Sequence, residues 1–101
     1  MPLSTNPHVI SLQEADDLIN KFAANKEAIL NGEFQGQSIF YDSGSFDKES
    51  IDLLLASYPR NTGLRIYLGM DDENKIKYVL KLKDENGNDV NDVILERSLI
   101  P

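Results

Sequence analysis

The sequence predicts an α+β fold, with two helices packed on one face of a three- to four-stranded antiparallel sheet. In the first half of the 101-residue chain, apolar residues recur at helical spacing. In the second half they alternate with polar residues, as in strands that bury one face. One domain over residues 1–101 is expected at this length, with residues 1–10 as a loose arm.

The first helix is expected within residues 11–30. Ser11 and Glu14 have the spacing of a capping box, in which side chains satisfy amides at the open helix start. Asn31 and Gly32 can adopt the left-handed conformation that ends many helices. The residues expected to form one buried stripe are Ala15, Leu18, Ile19, Phe22, Ile29 and Leu30.

A short strand is expected over residues 37–42, and a second helix over residues 48–58. Asp47 is the expected N-cap of this helix, because a carboxylate there can accept hydrogen bonds from the first amides. Pro59 ends the helix, since proline has no amide hydrogen to donate. The residues expected on its buried face are Ile51, Leu54, Leu55 and Tyr58.

Three strands are expected over residues 64–70, 75–83 and 90–96. Asn86-Gly87 predicts a two-residue type I′ turn, which requires a positive φ at both positions. With that turn, charged residues oppose residues of the other sign and apolar residues oppose apolar ones, an arrangement that stabilises sheets. The expected pairs are Lys81–Asp92, Lys77–Glu96, Val79–Ile94, Leu80–Val93 and Tyr78–Leu95.

A three-residue loop over residues 72–74 is expected to join the first two strands. The resulting register sets Arg65 opposite Lys81, and like charges in that position repel. Asp92 on the third strand is expected to relieve part of this repulsion. The other pairs expected in this hairpin are Met70–Ile76, Leu68–Tyr78 and Asp71–Lys75.

The face of the sheet that points away from the helices is expected to carry an apolar row of Tyr67, Val79 and Ile94. Arg65 and Lys81 form its rim. An exposed apolar row with a charged rim is typical of protein-contact surfaces. The hypothesis is a non-catalytic protein-interaction module that binds an unknown protein or a second copy of itself. Two alternatives remain open: a small anionic ligand near Arg65 and Tyr67, and a row covered by another segment of the chain.

Composition limits the classes of function. The net charge of −7 argues against nucleic-acid binding and allows a basic partner. The absence of cysteine excludes disulfides and thiolate metal sites, and neither a cofactor nor a metal is expected. No apolar run is long enough to span a membrane, and no secretory signal is recognisable, so a cytoplasmic protein is expected.

Candidate catalytic residues are few. Asp42, Ser43 and Gly44 follow apolar residues in a pattern that resembles the active-site loop of aspartic proteases. Those proteases consist almost entirely of strands, whereas two helices are expected in this chain. His8 is the only histidine and lies in the expected arm. No convincing catalytic constellation results, so an enzyme is not expected.

The stretch 63–89 combines a G-x-R-I-Y-x-G strand with a hairpin that ends in Gly87 and Asp89. In these features, and in the helix predicted before them, it resembles a family of short bacterial proteins without an assigned activity. The resemblance covers about half of the chain. It implies no reaction or ligand, but it includes Arg65 and Tyr67, which the expected register also places on the candidate surface.

Overall fold

The computed structural model describes residues 6–97 and has the expected α+β class, with a three-stranded antiparallel sheet of order β1-β2-β3. Its chain divides into two compact units, one up to Gln37 and one from Ser38 onward. Whether both helices share one face of the sheet stays a prediction. The elements are α1 (Leu12–Asn25), a 3₁₀ helix (Gly32–Phe34), α2 (Lys48–Ser57), β1 (Gly63–Met70), β2 (Ile76–Lys83) and β3 (Asp89–Leu95).

The first unit contains α1, which begins as the sequence predicts. The Oγ atom of Ser11 accepts a hydrogen bond from the amide of Glu14 at 3.0 Å. The helix ends at Asn25, before the expected stop. There the Asn25 side chain donates a hydrogen bond to the Lys21 carbonyl at 2.7 Å. Gly32 begins the 3₁₀ helix instead of capping α1.

The apolar stripe of α1 is less buried than its spacing indicates. No residue of α1 is buried. Ala15 and Phe22 are half-buried, whereas Leu18 and Ile19 are exposed. None of the described helices is long and apolar enough to cross a lipid bilayer.

The second unit has a hydrophobic core between α2 and the strands β2 and β3. Leu54 of α2 and Leu82 of β2 are completely buried at its centre. Asp47 is the N-cap residue of α2, although its side chain makes no capping hydrogen bond. Partly buried residues complete the core: Phe46, Ile51, Tyr58, Val93 and Leu95.

Residues 37–42 do not form the expected strand. Ile39 is nevertheless buried, and its carbonyl accepts a hydrogen bond from the amide of Ile76 at 2.8 Å. The amide of Ile76 is open to Ile39 because β3 pairs with β2 only as far as Leu80 and Leu95. Ile76 lies beyond that point, so its amide is satisfied by a single residue of an irregular segment.

The hairpin of β1 and β2 has the predicted register, with Met70 opposite Ile76 and Arg65 opposite Lys81. Its three-residue loop is held by the side chain of Asp71, whose Oδ1 atom accepts hydrogen bonds from two amides. These are the amides of Glu73 at 2.9 Å and Lys75 at 3.0 Å. Asn74 adopts a left-handed φ of 65°, which asparagine tolerates better than most residues.

The hairpin of β2 and β3 differs from the expected one. Gly87 has a left-handed φ of 81°, but Asn86 does not, so the type I′ turn is wrong. Asp84 instead begins a three-residue loop, and its Oδ1 atom accepts from the amides of Asn86 at 2.8 Å and Asn88 at 2.9 Å. A left-handed glycine at the last loop position is a common solution for a three-residue hairpin loop.

The longer loop changes the pairing of β3 with β2. Lys83 lies opposite Asp89, and a register shift follows between Leu80 and Leu82. Because Leu80 faces Leu95, its predicted pairing with Val93 is wrong. The remaining predicted pairs share the register of Leu80 with Val93, and none of them is among the pairs that β2 and β3 form. The remaining predicted pairs are Lys81–Asp92, Lys77–Glu96, Val79–Ile94 and Tyr78–Leu95.

Candidate contact surface on the sheet

The face of the sheet opposite α2, here called the outer face, carries most of the predicted contact residues. Leu80 is buried in the core beside α2, so its neighbours Val79 and Lys81 point to the other side. On β1, Tyr67 lies opposite Val79 and Arg65 lies opposite Lys81. The structure therefore brings these four residues together on one face.

Asp89 binds three of the outer-face side chains. Its Oδ1 atom accepts a hydrogen bond from Nη1 of Arg65 at 2.7 Å, and its Oδ2 atom accepts from the Tyr67 hydroxyl at 2.6 Å. The Nζ atom of Lys81 lies 3.9 Å from Oδ2. These residues, Asp89 with Arg65, Tyr67 and Lys81, are called the Asp89 cluster below.

The Asp89 cluster explains how the unfavourable pair of Arg65 and Lys81 is tolerated. The hydrogen bond from Tyr67 is the main cause that lowers the pKa of Asp89, and the bond from Arg65 acts in the same direction against the effect of desolvation. In turn, the bond to Asp89 raises the pKa of the Arg65 guanidinium. The expectation that Asp92 would relieve this repulsion is wrong, because Asp89 holds the position between the two cations.

Tyr67 is held in a defined orientation although 41% of its surface is exposed. Its hydroxyl is bound to Asp89, and the ammonium group of Lys81 lies 5.6 Å from the centre of its ring. Lys81 is held in turn by a hydrogen bond to Oδ1 of Asn91 at 2.9 Å. The ring thus presents an apolar surface to solvent while its polar atom is satisfied within the protein.

The register shift in β3 changes the position of Ile94 relative to Val79. Leu95 lies opposite Leu80 and packs against the core, so the alternation along β3 places Ile94 on the outer face. It is 44% exposed. Because it does not pair with Val79, the predicted alignment of Tyr67, Val79 and Ile94 in one row across the strands is wrong.

The lysines of β2 have partners other than the predicted ones. Lys77 lies 3.7 Å from a carboxylate oxygen of Asp71 in the first hairpin loop, not beside Glu96. Lys75, which precedes β2, keeps its predicted position opposite Asp71, whose amide donates to its carbonyl at 3.0 Å, and its ammonium group lies 3.9 Å from the carboxylate of Glu73. Both ion pairs are partly open to solvent and contribute little stability, but they place alternating charge around the outer face.

The candidate catalytic aspartate lies apart from the Asp89 cluster. Asp42 is exposed in the segment before α2. The residues after it, Ser43 and Gly44, border an open hollow of about 350 Å³ whose other walls are mainly apolar, among them Ile66. Within residues 6–97, no group of three or more histidine, aspartate or glutamate side chains is placed to hold a metal ion.

Asp89 is the functional candidate that the sequence reasoning missed. Its position follows from the three-residue loop after Asp84, and a signal for that loop is present in the chain. Asp71 and Asp84 each begin a hairpin loop, and each is followed three positions later by a residue that tolerates a left-handed φ, Asn74 and Gly87 respectively. Recognising the first loop as a template for the second would have placed Asp89 beside Lys83.

Comparison with protein-family models, curated proteins and solved structures gives no match for the chain. The resemblance to short bacterial proteins therefore stays a prediction.

Proposed function

We propose that this chain is a small, acidic, non-catalytic module that binds another protein through the outer face of its sheet. The contact residues are Tyr67, Val79 and Ile94, with Arg65 and Lys81 at the rim. The observation that carries the proposal is the exposed ring of Tyr67, held in place by Asp89. We also propose that the protein is located in the cytoplasm.

The preorganisation of Tyr67 supports a binding role. A side chain that is already fixed loses little conformational entropy when a partner packs against it, so more of the contact energy appears as affinity. Tyrosine and arginine are also the residues enriched among those that dominate interface energies. Arg65 is anchored by Asp89 and by the carbonyl of Gly87 at 3.3 Å. The side chains of Tyr67 and Arg65 are therefore both presented in fixed positions.

The alternative of a small anionic ligand has weaker support. Arg65 and Lys81 would have to bind the anion, but both already lie within ion-pair distance of Asp89. A ligand carboxylate or phosphate would approach a site that already contains the carboxylate of Asp89. Thermal unfolding measured with phosphate and with small carboxylates tests the alternative, because a ligand bound to the folded state raises the unfolding temperature.

The experiment compares capture of host proteins by the unaltered chain and by the variant Ile94→Asp, with identification by mass spectrometry. An aspartate at this position places a charge in the proposed contact surface without breaking the Asp89 cluster. Proteins bound through the outer face are expected to be lost. Capture that weakens steeply as salt is added would indicate a basic partner, since the chain carries a charge of −7.

Leu53→Asp is the matched control. Leu53 lies on α2 and is 61% exposed, so it receives the same charge at an exposed apolar position outside the outer face. The control is expected to capture the same proteins as the unaltered chain. Two outcomes would show that the outer face is not the binding surface. Either both variants, Ile94→Asp and Leu53→Asp, still capture every specific partner, or both variants lose the same partners.

A further inference from the structure

β1 is an edge strand whose outward backbone groups have no partner within residues 6–97. In antiparallel pairs, residues that exchange hydrogen bonds alternate with residues that do not. The amide of Asp71 donates to the carbonyl of Lys75 directly opposite, at 3.0 Å. Odd-numbered residues of β1 are therefore the ones bonded to β2. The residues whose amides and carbonyls point to the open edge are Leu64, Ile66, Leu68 and Met70.

The edge of β1 lacks the features that usually prevent edge-to-edge pairing, which are proline, lysine, inward charges and bulges. Its register with β2 is regular along all eight residues. Arg65 is its only charged residue, and the bond to Asp89 on β3 draws this side chain across the sheet. By contrast, β3 contains a register shift and two aspartates.

We propose that β1 pairs antiparallel with β1 of a second copy of this chain, about a two-fold axis at Tyr67. In this register Ile66 lies opposite Leu68 of the other copy, and Leu64 opposite Met70. Each of the four outward-pointing residues then exchanges backbone hydrogen bonds with another outward-pointing residue. Two three-stranded sheets become one sheet of six strands.

Neighbouring registers fit less well. Hydrogen bonding between outward-pointing groups requires shifts in steps of two residues, since a shift of one sets them against groups already bonded to β2. A two-fold axis at Ile66 would place Met70 opposite Thr62, and an axis at Leu68 would place Leu64 opposite Asp72. Only the axis at Tyr67 gives every apolar residue of the edge an apolar partner.

Side chains on both faces are compatible with the pairing. Ile66, Leu68 and Met70 are each about 60% exposed or more, so apolar surface remains available to a partner. On the outer face, Arg65 lies opposite Gly69 of the other copy, and no like charges meet. The net charge of −7 on each copy opposes association, which is therefore expected to strengthen as salt is added.

Sedimentation over a roughly hundredfold range of concentration tests the association, since a dimer obeys mass action. The unaltered chain is expected to shift from monomer to dimer. Ile66→Lys is expected to weaken the dimer by about tenfold or more, because an edge lysine opposes strand addition. Leu53→Lys is the matched control, because Leu53 is 61% exposed and Ile66 is 60% exposed. A chain that stays monomeric, or a dimer that Ile66→Lys does not weaken, contradicts the proposal.

Single cysteines test the register, because the chain contains none of its own. At the two-fold axis, Tyr67→Cys brings two Cα atoms to about 4.5 Å, within the range that a disulfide bridges. Ile66→Cys and Leu68→Cys place identical residues roughly 8 Å apart or more, which is too far. Oxidation is expected to trap the dimer of Tyr67→Cys. Preferential trapping at position 66 or 68 overturns the register, and no trapping at position 67 overturns the pairing.

The pairing of two copies uses the edge of the sheet, whereas partner binding uses its outer face. Ile94→Asp is expected to lose partner proteins and keep the dimer, while Ile66→Lys is expected to lose the dimer. The two proposals can therefore fail separately.

Discussion

Arg65 on β1 donates a hydrogen bond to Asp89 on β3 at 2.7 Å, across the width of the intervening strand β2. The side chain of Asp89 is 21% exposed and that of Arg65 is 39% exposed, so solvent screens the ion pair only in part. The pair connects the two outer strands on the face opposite α2. It also orders Tyr67, which the proposed function requires.

Asp89→Asn tests the role of the negative charge, because asparagine keeps an acceptor oxygen and removes the charge. Repulsion between Arg65 and Lys81 is then uncompensated, and the midpoint of thermal unfolding is expected to fall by a few degrees. Circular dichroism measures this change. Asp92→Asn removes the same charge from an exposed residue outside the Asp89 cluster and is expected to leave the midpoint nearly unchanged. Equal effects of the two variants would contradict the assignment of Asp89.

Gly87→Ala tests the geometry of the second hairpin loop. Gly87 has a φ of 81°, and a Cβ in the left-handed region costs roughly 1–2 kcal/mol. We expect a loss of about that size in the free energy of unfolding, measured by urea denaturation. Gly32→Ala is the control, since Gly32 has no left-handed φ and a Cβ there meets open space. A loss at Gly32 as large as that at Gly87 would argue against a backbone cause.

Leu82→Ala tests the centre of the core. Leu82 is 0% exposed and lies against α2 with Leu54, so truncation leaves a cavity. The free energy of unfolding is expected to fall by about 2–5 kcal/mol. Leu53→Ala removes the same atoms from an exposed position of α2 and is expected to change it by about 0.5 kcal/mol or less. A small effect at Leu82 would mean that the core lies elsewhere.

Stability is expected to decrease in acid. Three carboxylates have a pKa lowered by hydrogen bonds, so each stabilises the folded state at pH values above its ordinary pKa of about 4. That contribution is lost as the pH falls below about 4 toward the lowered values. The midpoint of thermal unfolding, measured from neutral to acidic pH, reports this loss. A midpoint that stays unchanged would contradict the prediction. The residues and the first cause for each are Asp71 (amide of Lys75), Glu85 (hydroxyl of Tyr58) and Asp89 (hydroxyl of Tyr67).

Local signals in the sequence predicted the first hairpin well. Its alternating residues and its three-residue loop define the register of Arg65 and Lys81 without help from the rest of the fold. The Ser11 cap is local in the same way. The N-terminal boundary of α1 and the first strand pair could therefore be read directly from the chain.

The second hairpin could not be predicted by the same reasoning, because Asn86-Gly87 is compatible with two loop lengths. The side chain of Asp84 favours the longer loop, in which it accepts hydrogen bonds from two amides. A difference of one residue decides whether Asp89 or Asp92 faces Arg65. Pattern alone thus identified the surface residues of β1 and β2 but not the carboxylate that orders them.

The register shift in β3 limits how far the sheet can grow. A regular strand on that side would offer a second open edge, and copies joined at both edges would continue into a filament. With only the β1 edge regular, the proposed pairing of two copies about a two-fold axis would use the outward hydrogen-bonding groups of that edge. Assembly is then finite, and an irregularity far from the interface sets its end point.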